Sequence, residues 1–412
     1  MKIGIGYKNI SDARTSGRTV AEEAAKSGAL HRPDLVLAFC SGGLAPAEFF
    51  EGLQSVFGRG VPIIGGSAIG IITQHTLCYT GHPAGAVAIQ SDEIRCRTAA
   101  ADRLNEDEQD AGRRLAQQLG HTPQDRLLLF FYDSIKQVAT GQAPPVLNAS
   151  APLIEGIAEG ATTDMPIFGA GLIGDYAMQS SAQFCGASVA PGMAAGLVMS
   201  GGLRVYHRIM HGCTPLDGVY HRVTKAAGAC IYELDGQPVV PVIDDLYGDP
   251  DWRRKSPVDL LTIGIYHGGK YAGIEEGRYV NRLIVGALPE GEGICLFEPD
   301  IEEGTEIQFM LRDADKMITS ARRNSNELLE GIRADGNEAR LGFYIDCAGR
   351  TAGYSNTLTE EAAEVQEAFN RHGCPLFGFY SGVEVAPLLD KSRGLDWTGV
   401  LIVITKDKRD AG

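Results

Sequence analysis

The chain has 412 residues, of which 52 are acidic and 37 basic, a formal charge of −15. So negative a chain argues against a nucleic-acid binder, which must replace counterions on phosphate, and against docking on an anionic membrane. With 44% hydrophobic and 22% charged residues it is a globular composition, long enough for about two domains at roughly 150 residues each.

A helix is predicted from about Arg18 to Ser27 on the run A-E-E-A-A. The strand Leu35 to Cys40 follows and ends in a glycine turn. Pro46 to Phe57 is predicted helical, since Phe49, Phe50, Leu53 and Phe57 recur at helical spacing. V-P-I-I-G-G reads as a second strand. Ala86 to Gln90 and Ile94 to Thr98 read as an antiparallel pair around S-D-E. Glu106 to Leu119 reads as a helix stopped by Gly120.

The layout then recurs. D-R-L-L-L-F-F-Y-D-S (125 to 134) parallels D-L-V-L-A-F-C-S-G-G, Pro152 to Glu159 is a short helix, and M-P-I-F-G-A-G-L-I-G (165 to 174) parallels V-P-I-I-G-G-S-A-I-G (61 to 70). Residues coincide at 62/166, 63/167, 65/169, 69/173 and 70/174. A-A-G-L-V-M-S-G-G-L-R-V parallels A-G-A-V-A-I-Q-S-D-E-I-R. So long an offset exceeds solenoid repeats and implies a duplicated α/β unit. A weaker third echo runs through strand 339–350, helix Thr359 to Arg371, strand-and-loop 374–384 and strand 399–407. Pro62, Pro166 and Pro375 each stand three residues before a glycine.

Between the second and third echoes, residues 219–312 are predicted β-rich. Glu290 to Glu306 holds seven acidic residues and no basic one, as expected of a solvated hairpin rim. Residues 244–257, rich in Asp, Pro and charge, read as a linker. The expected fold class is α/β: duplicated α/β units with mixed sheets, then a β-rich segment leading into a C-terminal α/β unit. The expected domains are 1–225 and 226–412.

Several chemistries find no footing. No C-x-x-C pair, P-loop or G-x-S-x-G elbow is present. Gly169-Ala-Gly171-Leu-Ile-Gly174 spells G-x-G-x-x-G. However, no Asp or Glu occurs from Tyr176 to Leu216 to hold a ribose. His207, His211 and Cys213 alternate along a strand, and His221 lies nearby. Alternating strand residues point along a line, whereas zinc ligands must converge. No cofactor and no metal are therefore expected. The N-terminus lacks the apolar core of a signal peptide, and the apolar runs are of strand length, not membrane-span length. A soluble cytoplasmic protein with nine reduced cysteines is expected.

The pieces together resemble a known family. The words that carry this are P-D-L-V-L-A-F-C-S (33 to 41), V-P-I-I-G-G-S-A-I-G (61 to 70), and V-T-K-A and E-L-D-G within 211–238. In the C-terminal half they are G-T-E-I-Q-F-M-L-R-D (304 to 313), D-C-A-G-R (346 to 350) and P-L-F-G-F-Y-S-G-V-E-V-A-P (375 to 387). The N-terminal half resembles the FIST N domain and the rest the FIST C domain, FIST standing for F-box and intracellular signal transduction. The resemblance implies a sensory module that binds small ligands, amino acids among them, and it implies no catalytic residues. No kinase, cyclase or transmitter domain and no F-box is seen, so output is expected through a separate signalling partner or through self-association.

A zwitterionic ligand needs a planar cation for its carboxylate and an acceptor for its ammonium. Arg350 suits the first role because its fork makes two parallel hydrogen bonds. It follows a strand and the turn Cys347-Ala-Gly; Glu384 follows the next strand and loop. Both are expected at one sheet edge, serving one ligand or bridged to each other. Tyr380 is expected to add a lid face and Ser381 a hydroxyl. Gly65, Gly66, Gly169 and Gly171 are expected to let backbone approach a ligand or to make tight turns. Cys347 would have a lowered thiol pKa if Arg350 is close. Two other readings remain open: an enzyme using the Cys347, Arg350 and Glu384 loops, and a scaffold without a ligand.

Overall fold

The structure, a computed structural model, describes residues 1–406 apart from 139, 141–144, 162–164, 180, 249, 256, 259, 271–274 and 390. Residue 407 of the last expected strand and residues 249 and 256 of the expected linker lie outside the described residues.

The core consists of three copies of one unit, each with four strands and two helices. The first runs strand Lys2–Asn9, helix Ala13–Ser27, strand Leu35–Cys40, helix Pro46–Phe57, strand Ile63–Ser67 and strand Pro83–Gln90. The second runs Ile94–Ala101, helix Glu108–Leu119, Asp125–Asp133, helix Ser150–Gly160, Ile167–Leu172 and Ala194–Gly201. The third runs Leu203–Met210, helix Ala314–Ala334, Glu338–Cys347, helix Glu361–Arg371, Leu376–Ser381 and Gly399–Lys406. In every sheet the strand order is first, fourth, second, third, and the second and third strands are parallel. Pro62, Pro166 and Pro375 begin the same element. Their carbonyls accept from the amides of Val36, Leu128 and Gly342 at 2.9, 3.1 and 2.8 Å. Proline fits there because it starts the strand and has no ladder N–H to lose.

Each unit gives a hairpin to another unit's sheet. The first unit's hairpin (Gly70–Thr73, Leu77–Cys78) pairs with Leu376–Ser381 of the third. The third unit's hairpin (Val383–Leu388, Lys391–Leu395) pairs with Ile167–Leu172 of the second. The second unit's hairpin (Gln183–Cys185, Ser188–Ala190) pairs with Ile63–Ser67 of the first. The exchange is cyclic, and it stitches the three sheets into a closed ring.

The sheets share one core. Phe39 and Phe131 hold the same place in the first and second units and meet edge to face at 5.1 Å; Phe39 also stacks on Phe379 of the third at 3.9 Å. The outer faces are covered by helices, each over its own apolar cluster. Strands buried on both faces explain the continuous apolar runs in the sequence.

Two expected pairings differ. Pro83–Gln90 and Ile94–Ala101 are not partners: the first lies between Lys2–Asn9 and Leu35–Cys40, the second beside Ala194–Gly201. Ala194–Gly201 and Leu203–Met210 likewise part into different sheets. Each short turn carries the chain from one unit to the next, so apolar alternation on both sides reads locally as a hairpin.

Residues 213–312 are inserted between the first strand and first helix of the third unit, a connection that is short in the other two. Six strands close into a barrel in the order Glu306–Arg312, His221–Ala227, Cys230–Leu234, Ile294–Leu296, Tyr279–Ala287, Leu261–Tyr266 and back to Glu306–Arg312. The segment read as a linker belongs to the barrel. Trp252 is fully buried in its core, and its indole N–H donates to Asp244 at 3.0 Å. The nine thiols are not all free: Cys230 and Cys295, opposite each other on adjacent strands, form a disulfide. Among the described residues no helix is long and apolar enough to cross a membrane.

Candidate functional site

In open α/β sheets ligands bind beyond the carboxyl ends of parallel strands. In the third unit those ends are Cys347 and Ser381, direct neighbours in register. Beyond them lies a cavity of about 350 Å³, with Cys347, Ala348 and Gly349 on one side and Ser381, Gly382 and Val383 beside them. Ser134 and Ile173 contribute from the second unit. Ser134 follows its strand as Ala348 follows Cys347, so the cavity sits where two units meet. The inserted segment closes it with Lys255, Leu283, Phe297 and Arg312. At the rim the rings of Tyr176 and Tyr354 stack 4.5 Å apart, and Tyr354 is 52% exposed. The Tyr176 hydroxyl holds the loop beneath through Thr351 Oγ1 at 3.0 Å and the Ala348 carbonyl at 3.2 Å. The Ser134 hydroxyl is buried and has no hydrogen-bond partner among the described residues.

Of the anticipated residues, Cys347 and Ser381 line this cavity; Arg350, Glu384 and Tyr380 are fully buried outside the lining. Arg350 does not bridge to Glu384. Its fork is taken by Glu361 from the following helix, with Nε and Nη2 each 2.6 Å from a carboxylate oxygen. Nη1 donates to the Trp397 carbonyl at 2.8 Å and Nη2 also to the His211 carbonyl at 3.0 Å. Tyr380 is a core residue of its strand, edge-on to Tyr79 at 5.5 Å, and not a lid.

Glu384 lies 2.8 Å from Ser381 Oγ and accepts the Thr398 amide at 3.2 Å. Burial pushes its carboxyl well above the usual range. A protonated Glu384 can donate to Ser381 Oγ, which then donates to the Asp346 carbonyl at 3.1 Å. Burial likewise raises Asp346 and Glu361, against the pull of Arg350. It also raises the Cys347 thiol. The lowered thiol pKa expected beside Arg350 is therefore reversed, because desolvation outweighs the cation.

The four glycines lie inside strands, and what they approach is protein. A Cβ on Gly65 would stand 1.9 Å from the Ala38 carbonyl, one on Gly66 2.3 Å from that of Ala182, one on Gly169 2.6 Å from that of Phe130, and one on Gly171 2.2 Å from Ser134 Oγ. Among the described residues no three His, Cys, Asp or Glu side chains are grouped to hold a metal. His207 contacts the Pro387 carbonyl and His221 pairs with Asp235, so those histidines diverge.

A wider groove of about 1080 Å³ runs along helix Ala314–Ala334. Its polar walls largely satisfy each other, as in the Arg323–Glu276 pair. The smaller cavity, at the strand ends and with an apolar interior, is the better candidate.

Sequence reading missed Ser134, Tyr176, Tyr354, Lys255, Phe297 and Arg312. Ser134 stands level with Ala348 in the folded repeat, each directly after the second strand of its unit.

Residues 34–237 match the FIST N domain and residues 241–387 the FIST C domain. The two matches meet inside the barrel. A relative, an uncharacterized protein of Methanocaldococcus jannaschii, is 25% identical over 209 residues, which is 48% of this chain and 37% of that protein. The chain thus spans little more than a third of that relative's length. The solved structure of PurLQS from Thermotoga maritima aligns over 98% of this chain and 72% of its own at 10% identity, with a TM-score of 0.21, too low to bear on the fold.

Proposed function

The chain belongs to the FIST family of signal-transduction sensory domains, and from that premise we propose that it senses a small metabolite, an amino acid or other carboxylate, bound in the cavity between ring and barrel. One observation carries this reading. The cavity lies at the carboxyl ends of adjacent parallel strands, is lined by two units and the inserted barrel, and mixes apolar walls with Ser134, Ser381, Lys255 and Arg312. A ligand there touches elements that otherwise meet only through protein contacts, which is what a sensor needs to alter their relative placement. Cys347 and Ser381 are its direct contacts; Arg350, Glu361 and Glu384 hold the strand ends in place behind them. A cytoplasmic setting and a separate signalling partner complete the proposal.

The test is a thermal-shift screen of amino acids and organic acids. A ligand at 100 times its Kd should add about 2.7 kcal/mol of stability. The gain should vanish in Val383→Phe, which fills the cavity. A hit unaffected by Val383→Phe would move the site elsewhere, and a screen without hits would favour the scaffold. The enzyme reading is less well supported, because a thiol held protonated by burial is a weak nucleophile.

A further inference from the structure

We propose that Cys230 and Cys295 form a reversible thiol-redox site, whose reduction frees the barrel segment that walls the cavity and caps a core helix. This release takes place whatever the cavity binds. Cys230 stands directly after the two-residue turn Gly228-Ala229, whose glycine has a φ of 57°. Cys295 is the middle residue of Ile294–Leu296. Both are half-buried, so a small dithiol can reach them. Their strands share two register pairs, Cys230 with Cys295 and Ile231 with Ile294, where Leu261–Tyr266 and Tyr279–Ala287 share five. The Leu296 amide donates to the Ala229 carbonyl at 2.8 Å. The two cysteines are therefore a non-hydrogen-bonded pair, the kind whose side chains approach most closely. On so short a ladder the disulfide is a large part of what joins the strands.

The residues just after Cys295 carry the barrel's links to the core. Phe297 lines the cavity, and Glu298 accepts the Ser150 and Ala151 amides. Asp300 pairs with Arg282, which donates to the Gly394 carbonyl. The other seven cysteines are unpaired, and the barrel has an apolar core of its own around Trp252. Small folds that need staples carry several. A single half-exposed disulfide on this background is the labile kind, open to exchange. One thiolate of a dithiol reductant attacks a sulfur of the pair; the other cysteine leaves as a thiolate and takes a proton from water. The second thiol of the reductant then displaces the first protein sulfur. Two electrons pass to Cys230 and Cys295, and the reductant ends as its own disulfide. A disulfide oxidant runs the exchange backwards.

Hydrogen exchange read by mass spectrometry tests this on the whole chain, oxidised with glutathione disulfide or reduced with dithiothreitol. Denatured after removal of the reagents, the oxidised protein should show seven titratable thiols and the reduced one nine. On reduction the amides of Leu296, Ser150 and Ala151 should exchange at least ~10-fold faster, with helix Ala13–Ser27 unchanged. Cys230→Ser with Cys295→Ser should show the fast exchange in both conditions, and Cys78→Ser should respond as wild type does. Should the double serine variant fail to fold, the wild-type comparison still decides. Nine thiols after oxidation, or equal exchange in the two states, would overturn the proposal. Faster exchange across the whole chain would overturn it too, because it marks a general staple and not a local latch.

Discussion

Glu298 of the inserted barrel caps the core helix that begins at Ser150. The Ser150 amide lies 3.0 and 3.1 Å from its two carboxylate oxygens, and the Ala151 amide donates to one of them at 3.1 Å. This helix has no side-chain cap of its own, since Ala149 holds the N-cap position. The first amides of a helix need acceptors, and here they come from a residue far along the chain. Arg282 of the barrel adds a second link by donating to the Gly394 carbonyl at 3.0 Å. The barrel is thus fastened to the second unit's helix and the third unit's hairpin, next to the cavity.

That fastening should make stability depend on pH. Burial pushes the Glu298 carboxyl from 4.5 up to about 7, against the charge of Arg282, and burial pushes Asp396 up to about 6. In the unfolded chain both ionise near their ordinary values. Between about pH 4.5 and 7 the folded chain keeps a proton on Glu298 that the unfolded chain has released. Stability should therefore fall as pH rises through that window and level off above it, by roughly 3 kcal/mol for Glu298. Urea midpoints at pH 5.5 and 8 should differ less in Glu298→Gln than in wild type. Equal slopes would show that Glu298 titrates normally.

The Arg350–Glu361 pair should matter for the fold more than for binding. Sequence reading places Arg350 after a strand and a turn, at a sheet edge, where it serves a ligand or bridges to Glu384. The structure seals it from solvent, with its donors on Glu361 and two carbonyls. Arg350→Met leaves a buried carboxylate without its cation and should cost about 3–5 kcal/mol. Arg350→Met with Glu361→Met should cost less than the single change, because Glu361 is no longer stranded, while Asp346, 3.5 Å from Arg350 Nε, loses its cation in both variants. Chemical denaturation decides it; a double variant as unstable as the sum of the singles would refute the coupling.

The inner strands of the ring are legible in the sequence because they are buried on both faces: all six residues of Leu35–Cys40 are buried, and the apolar run is unbroken. Lys2–Asn9, half exposed at a sheet edge, is not legible. Helix Ala314–Ala334 is not legible, since its core face is diluted by Ser320, Asn324 and Ser325, buried polar residues that break the apolar stripe. Its start was nonetheless marked, as Asp313 accepts the Lys316 amide at 3.0 Å. At the site, the strand-end positions of Cys347 and Ser381 follow from local pattern. The partner of Arg350 does not, because helix docking sets it. Glu298 sits in an acidic run that reads as a solvated rim, and only barrel closure turns it inward. Lys255 and Arg312 reach the cavity through that same long-range closure.

Cysteine labelling separates the sensor from the enzyme. Cys347 and Cys213 are buried, and burial raises both thiols. Native protein treated with iodoacetamide near pH 7.5 should be modified first at Cys78, which is half-exposed, with Cys347 nearly inert. Peptide mass spectrometry reads this directly. Labelling of Cys347 ahead of Cys78 would mean an accessible thiolate and would revive the catalytic reading.

The last prediction concerns the glycine shared by the three units. Gly65, Gly169 and Gly378 occupy the same place on the third strand of each unit, packed over the carbonyl of Ala38, Phe130 or Tyr344. A Cβ there would lie 1.9, 2.6 or 2.1 Å from that oxygen. The neighbour is backbone in a paired strand, so it has no rotamer by which to yield. Gly65 is doubly constrained, since its φ of 144° is one that side chains rarely adopt. Gly65→Ala should therefore cost about 3 kcal/mol or more, with Gly378→Ala close behind. Gly331 is the control: it lies inside helix Ala314–Ala334 with open space where a Cβ would go. Gly331→Ala should stabilise by roughly 0.5–1 kcal/mol through helix propensity and a less free unfolded chain. Melting temperatures of the three variants test the pattern. A Gly65→Ala protein as stable as wild type would mean that the strands of the ring do not pack as closely as described.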